Sequence, residues 1–153
     1  MKDAGKLEME IAIRTRSHLR YTEFLHEILR RLEVELDIEE SRGDWLAVSL
    51  REAVNNAIIH GNKKDPEKWV TVEFIVAESK LFIKVWDEGD GFSPESLEDP
   101  TKPENLYKPR GRGVFLIRKF VDEVTFSRGA DGRFGVIMAV GVGPEPKKED
   151  KDE

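Results

Sequence analysis

Glu52, Asn56 and His60 follow one another at four-residue spacing within residues 50–62, the run LREAVNNAIIHGN. On a helix that spacing places all three on one face, each within about 6 Å of the next. Ala53, Val54, Ala57 and Ile58 repeat at helical spacing and give the run an apolar stripe to bury. A carboxylate and an amide side by side offer oxygen ligands and one potential base. That set suits a hard cation such as Mg²⁺, which takes one or two protein oxygens and fills its shell with water and phosphate. A solvated polar face would have the same pattern, so the chemistry depends on what the rest of the chain brings to it. Gly61 stands where helices commonly exit through a left-handed residue. His60, at the helix end, reads as a capping or packing residue rather than a phosphate contact.

Two further stretches carry chemistry. Asp87 ends an alternating apolar run, on the face of Leu81, Ile83 and Val85, just before Glu88-Gly89-Asp90-Gly91-Phe92. A carboxylate beside a hydrophobic face needs a donor partner, and an adenine amino group is a suitable one. Gly89 and Gly91 would let a flat ring approach the backbone. A plain turn leaving a strand has the same composition. Farther on, Arg110-Gly111-Arg112-Gly113 opens a helical pattern. Free N–H groups at a helix N-terminus, uncovered by glycines and flanked by arginines, make an anion site. A hinge with solvated arginines has the same sequence.

The elements that must position these residues can be read in order. Leu7, Met9, Ile11 and Ile13 alternate with polar residues and predict a half-buried strand. Ser17 is placed to cap a helix running to about Leu36, with Phe24, Leu25, Ile28, Leu29 and Leu32 on its apolar face. Residues 37–44 read as a polar connection containing Gly43, after which the helix bearing Glu52 begins. A turn over residues 62–68 leads to an antiparallel hairpin, with Val70, Val72, Phe74 and Val76 on one strand and Leu81, Ile83 and Val85 on the other. Residues 92–110 lack periodicity and contain four prolines, which predicts a functional lid. A helix from Gly111 to about Asp122 and two more strands, residues 124–127 and 134–142, complete the order. Helices that can bury their stripes only against one sheet face give an α+β, two-layer α/β sandwich with a mixed, mostly antiparallel sheet. One domain over residues 7–142 is expected, between a disordered N-terminus (residues 1–6) and a disordered charged tail (residues 143–153).

Composition narrows the function. A formal net charge of −6 argues against a direct nucleic-acid partner. There is no cysteine, so neither a disulfide nor a thiolate metal site is available. No apolar run is long enough for a signal peptide or a membrane span. A cytoplasmic protein without a membrane partner is the expectation.

The three chemical stretches share an order: a Glu-x-x-x-Asn helix, a strand ending in Asp-x-Gly-x-Gly, a lid, then Gly-x-Gly opening a helix. Together they resemble the Bergerat-fold ATPases of the GHKL superfamily. Glu52-Ala53-Val54-Asn55-Asn56-Ala57-Ile58-Ile59-His60-Gly61 is similar to the corresponding box of the anti-sigma factor serine/threonine kinases. The lid's Thr101-Lys102-Pro103-Glu104, Gly111-Arg112-Gly113-Val114-Phe115-Leu116-Ile117 and Asp122-Glu123-Val124 fit the same family.

The resemblance implies ATP and Mg²⁺ as cofactors. It implies Glu52 as the base toward a substrate hydroxyl, Asn56 as the metal ligand and Asp87 as the adenine reader. Gly89, Gly91, Gly111 and Gly113 would be the glycines where backbone meets nucleotide, and Arg110 and Arg112 the phosphate contacts. It further implies a kinase that phosphorylates an anti-anti-sigma (STAS-type) protein, sequesters a sigma factor and forms homodimers. One departure stands out: Gly135 is followed by Val136, where the family usually has a threonine that helps hold adenine. That favours, as the alternative, a binding module that works by sequestration with nucleotide as a switch or not at all. A histidine-kinase catalytic domain fits less well, because position 52 is Glu where those kinases usually carry Asn, and no phosphoacceptor helix pair is present.

Overall fold

The computed structural model describes residues 6–91 and 112–143. Along the chain come β1 (Leu7–Arg16), α1 (Tyr21–Glu35), α2 (Glu40–Asn56), a π-helical turn (Ala57–Gly61), β2 (Trp69–Ala77), β3 (Lys80–Asp87), α3 (Arg112–Phe120), β4 (Glu123–Arg128) and β5 (Phe134–Gly141). The strands form one sheet in the order β1-β2-β3-β5-β4. All four pairings are antiparallel, where the sequence suggested a mixed sheet. The α1–α2 crossover returns the chain as β2 antiparallel to β1, so it builds no parallel unit.

The two-layer α+β sandwich follows from the strand period of two. Val72, Phe74, Ile83, Val85, Val136 and Met138 share one sheet face through the register and are all buried. Leu25, Leu29 and Leu32 of α1 and Leu46, Leu50, Ala53 and Val54 of α2 complete the same core. α3 packs against α2, and Phe120 at its end stacks on Trp45 with ring centroids 3.8 Å apart. The opposite sheet face carries Ile75, Phe82, Trp86 and Ile137, all half-buried. No described helix is long and apolar enough to cross a membrane.

Three local expectations give way to packing. Ser17 does not cap α1: it is buried, its backbone N–H and its hydroxyl both donate to the Lys68 carbonyl, and α1 starts at Tyr21 without a side-chain cap. α2 begins at Glu40, so Gly43 lies inside a helix rather than in a connection. A Cβ on Gly43 would stand 2.6 Å from Glu33 Oε2, and the glycine makes room for that buried carboxyl of α1. Gly61 does not leave the helix in a left-handed conformation. The π turn shifts the exit, and Lys63 and Lys64 take the positive φ values instead. The expected terminal segments and lid lie outside the described residues, apart from Lys6 and Gly143.

Candidate functional site

Glu52 and Asn56 occupy the last two turns of α2, half-buried, one turn apart on a continuous α-helix. Their neighbours Ala53 and Val54 are each 1 % exposed and hold this end of the helix against the sheet. Asn55 adds a lateral tie, accepting a 3.4 Å hydrogen bond from the Thr22 hydroxyl of α1. The sequence pattern extends the polar line to His60, but the line stops at Asn56. From Ala57 the helix widens, with the Asn62 N–H donating to the Ala57 carbonyl at 2.8 Å, and His60 turns out to solvent. π turns of this kind recur at functional sites because they re-aim the residues that follow.

Asp87 ends β3 on the helix-covered face, 5 % exposed. Its carboxyl is pushed up to about 6 by burial, against the opposing pull of the Gly89 N–H and the Arg128 and Lys68 charges. Gly89 N donates to Asp87 Oδ1 at 2.8 Å. The π turn lies against β3, closely enough that a Cβ on Gly61 would be 2.4 Å from the Asp87 carboxyl carbon. A Cβ on Gly89 would be 2.2 Å from the Gly61 carbonyl oxygen. Gly91 is glycine twice over: its φ is +76°, and a Cβ would meet the Phe134 ring at 2.4 Å. Arg128 donates to the Asp90 carbonyl and pins the turn to β4.

The structure therefore brings Glu52, Asn56, Asp87, Gly89 and Gly91 to one end of the sheet, linked through the π turn. Arg112 and Gly113 form the first turn of α3. Arg110 and Gly111 lie outside the described residues. Val136, 8 % exposed, pairs with Val85 on the helix side of β5, two register positions from the Asp87–Phe134 pair and on the same face. The departure from the family threonine thus falls beside the adenine-reading candidate.

Sequence reasoning missed Asn62, which it placed only as the first residue of the turn over residues 62–68. Asn62 is fully buried. Its Nδ2 donates to Ser17 Oγ at 2.7 Å and to the Trp69 carbonyl at 2.9 Å, while its Oδ1 accepts from the Glu88 N–H at 2.8 Å. It also missed the contact between Gly61 and Asp87. The only signal for either was the pairing of a glycine with a polar residue at the end of an apolar helix.

These residues fit a nucleotide. Asp87 is a largely desolvated carboxyl that could accept from an exocyclic amino group. Asn56 offers one amide oxygen, and among the described residues no group of three His, Cys, Asp or Glu could hold a metal ion by itself. A cation here would rest on Asn56 together with phosphate oxygens, as Mg²⁺ commonly does.

Comparison with known proteins agrees with this geometry. Residues 15–139 match the family model described as "Histidine kinase-like ATPase domain". An anti-sigma F factor of Clostridium perfringens is 36% identical over 105 residues, covering 66% of this chain and 72% of that protein. The serine-protein kinase RsbW of Listeria monocytogenes is 29% identical over 85 residues, 52% of this chain and 54% of the kinase. A crystal structure of RsbU and RsbW domains from Mycobacterium tuberculosis superposes with a TM-score of 0.63 at 17% identity, covering 88% of this chain and 33% of that one, and so shares the fold. The chain belongs to the histidine kinase-like ATPase domain family, in its anti-sigma kinase branch. An ATP site follows from that membership.

Proposed function

We propose that this protein is an ATP-dependent serine/threonine kinase acting as an anti-sigma factor. It phosphorylates an anti-anti-sigma protein of STAS type and sequesters a sigma factor. The observation that carries the reading is the pairing of Glu52 and Asn56 on a helix whose π-turn continuation is packed onto Asp87. The relatives named anti-sigma F factor and serine-protein kinase support the same assignment. A cytoplasmic location and a homodimeric form go with these partners.

Bound ATP supplies the phosphoryl group. Asp87 accepts from the adenine amino group and fixes the base. Asn56 would hold Mg²⁺ through its amide oxygen, together with the nucleotide's phosphates, and the cation would neutralise phosphate charge there. Glu52, one turn earlier, takes the proton from the partner's serine or threonine hydroxyl as its oxygen bonds to phosphorus and the bond to the leaving phosphate breaks. Gly89, Gly91, Gly111 and Gly113 bring backbone to the nucleotide, and Arg110 and Arg112 contact its phosphates.

Two measurements test this. Calorimetric titration should show saturable binding of Mg·ATP and discrimination against Mg·GTP. Transfer of labelled γ-phosphate to a STAS-type protein should fall about 10²- to 10⁴-fold in Glu52→Ala, the range for losing a general base, with ATP affinity little changed. Intact transfer in that variant would remove Glu52 from the base role. Val136 supports the second reading, sequestration without catalysis, because a valine side chain can neither donate nor accept a hydrogen bond on the face that carries Asp87. Absence of ATP binding at millimolar concentration would select that reading.

A further inference from the structure

Among the described residues, Asn62 is the one fully buried side-chain amide, and it joins the end of the catalytic helix to the strand exit carrying Asp87. We infer that Asn62 is a positioning residue for adenine selectivity: it touches no nucleotide, but holds the Asp87 turn in register with the π turn that follows Asn56. The inference rests on the proposed function and assigns a task within that site.

Each arm of Asn62 reaches a different element. The Nδ2 bonds to Ser17 Oγ and the Trp69 carbonyl attach it to the end of β1 and the start of β2. Ser17 is itself held by the Lys68 carbonyl at 2.9 Å. The Oδ1 acceptor captures the Glu88 N–H, the first backbone donor beyond Asp87. Glu88 then returns a carboxylate oxygen to the Trp69 N–H at 2.6 Å, closing a ring of bonds across β2 and the turn. The residue before Asn62 is Gly61, whose Cα lies against the Asp87 carboxyl and whose carbonyl lies against Gly89. Moving Asn62 therefore moves the floor on which Asp87 rests. Buried polar groups with all their bonds made specify one arrangement, and a side chain lacking either arm leaves partners unsatisfied. Glu52 and Asn56 precede the π turn and are held by their own helix, so they do not depend on these bonds.

The consequence is separable. Asn62→Ala should raise the Kd for Mg·ATP by about tenfold or more and collapse the preference for ATP over GTP, while the turnover rate at saturating ATP stays within about threefold. In the nucleotide-free protein, amide exchange at Glu88 and Gly89 should speed by about tenfold or more, with residues 49–54 of α2 unchanged. Asn62→Asp keeps an acceptor for the Glu88 N–H but loses both donors, and Ser17→Ala removes one partner. If Asn62→Ala does not fold, these two variants supply the same readouts, with smaller shifts in the same direction. An unchanged ATP-to-GTP ratio in a folded variant, or a loss confined to turnover, would overturn the role. If the unsubstituted protein binds no Mg·ATP, the proposed function fails first and takes this role with it, whatever the exchange data show.

Discussion

Two buried carboxyls in this protein look alike until their surroundings are compared. Asp87 is 5 % exposed and Glu33 is 6 % exposed. Burial raises the pKa of both. Each is pressed against a glycine with no room for a Cβ: Gly61 for Asp87 and Gly43 for Glu33. Glu33, however, lies between α1 and α2 with an arginine of its own helix in reach, Arg30 Nη1 at 3.4 Å, and Arg30 also pairs with Asp44 at 2.9 Å. Asp87 has backbone for its close partner, sits where a strand leaves the sheet, and shares that end with Glu52 and Asn56. A perturbed carboxyl alone is therefore a poor marker of a site. What separates the two is the close partner, an arginine side chain for Glu33 and a backbone N–H at a strand exit for Asp87.

The sharpest way to break the comparison is nucleotide binding. Asp87→Asn replaces one acceptor oxygen with an amide and should weaken Mg·ATP by about 10- to 100-fold, the worth of one hydrogen bond to a charged group. Glu33→Gln should leave the Kd within about twofold. Calorimetry on both variants decides the matter, and equal losses would mean that the two corners are not functionally distinct.

The glycines give the next largest contrast, read as stability. Gly61→Ala drives a methyl into the Asp87 carboxyl, which the Gly89 N–H holds in place, and should destabilise by about 2 kcal/mol, as overpacking does. Gly43→Ala meets only the far end of a Glu side chain. The helix preference for alanine over glycine, about 1 kcal/mol, offsets that contact, so its melting midpoint should stay close to that of the parent. Chemical denaturation of both variants checks the difference, and a Gly43→Ala penalty as large as that of Gly61→Ala would show Glu33 to be as rigidly held as Asp87.

The same two corners show what could be read from sequence. The strand alternation, the apolar helix stripes and the positions of Glu52, Asn56 and Asp87 follow from periods of 2 and 3.6, and they are where the sequence places them. Gly61, Gly43, Ser17 and Asn62 were misread because each answers to a partner distant in the chain: Asp87, Glu33, Lys68 and Glu88. Local rules assign glycine to helix exits and serine to caps, and those rules lose when a tertiary contact competes for the same residue. The π turn was invisible for the same reason. It contains no unusual residue, and its last residue, Gly61, packs against Asp87 of β3, a contact that no local pattern encodes.

pH gives the most diagnostic contrast. The Asp87 carboxyl binds its proton more tightly in the folded state, near 6, than in the unfolded chain, near 3.8. The native state therefore holds more protons across that window, and its stability falls as pH rises from about 4 to about 6. Above the window the contribution is a constant cost of at most about 3 kcal/mol, from 1.36 kcal/mol per pKa unit. Asp87→Asn cannot ionise and should escape it: its melting temperature relative to the parent should climb through that window and then level off, even as ATP binding weakens. Glu33→Gln should gain in the same direction, because burial raises that carboxyl too, but by less, since Arg30 opposes the shift. Its ATP affinity should stay level across the same pH range. Thermal melts of the three proteins from pH 4 to 8 test this, and a relative stability of Asp87→Asn that did not rise with pH would show that Asp87 is ionised at little cost and better solvated than its burial implies.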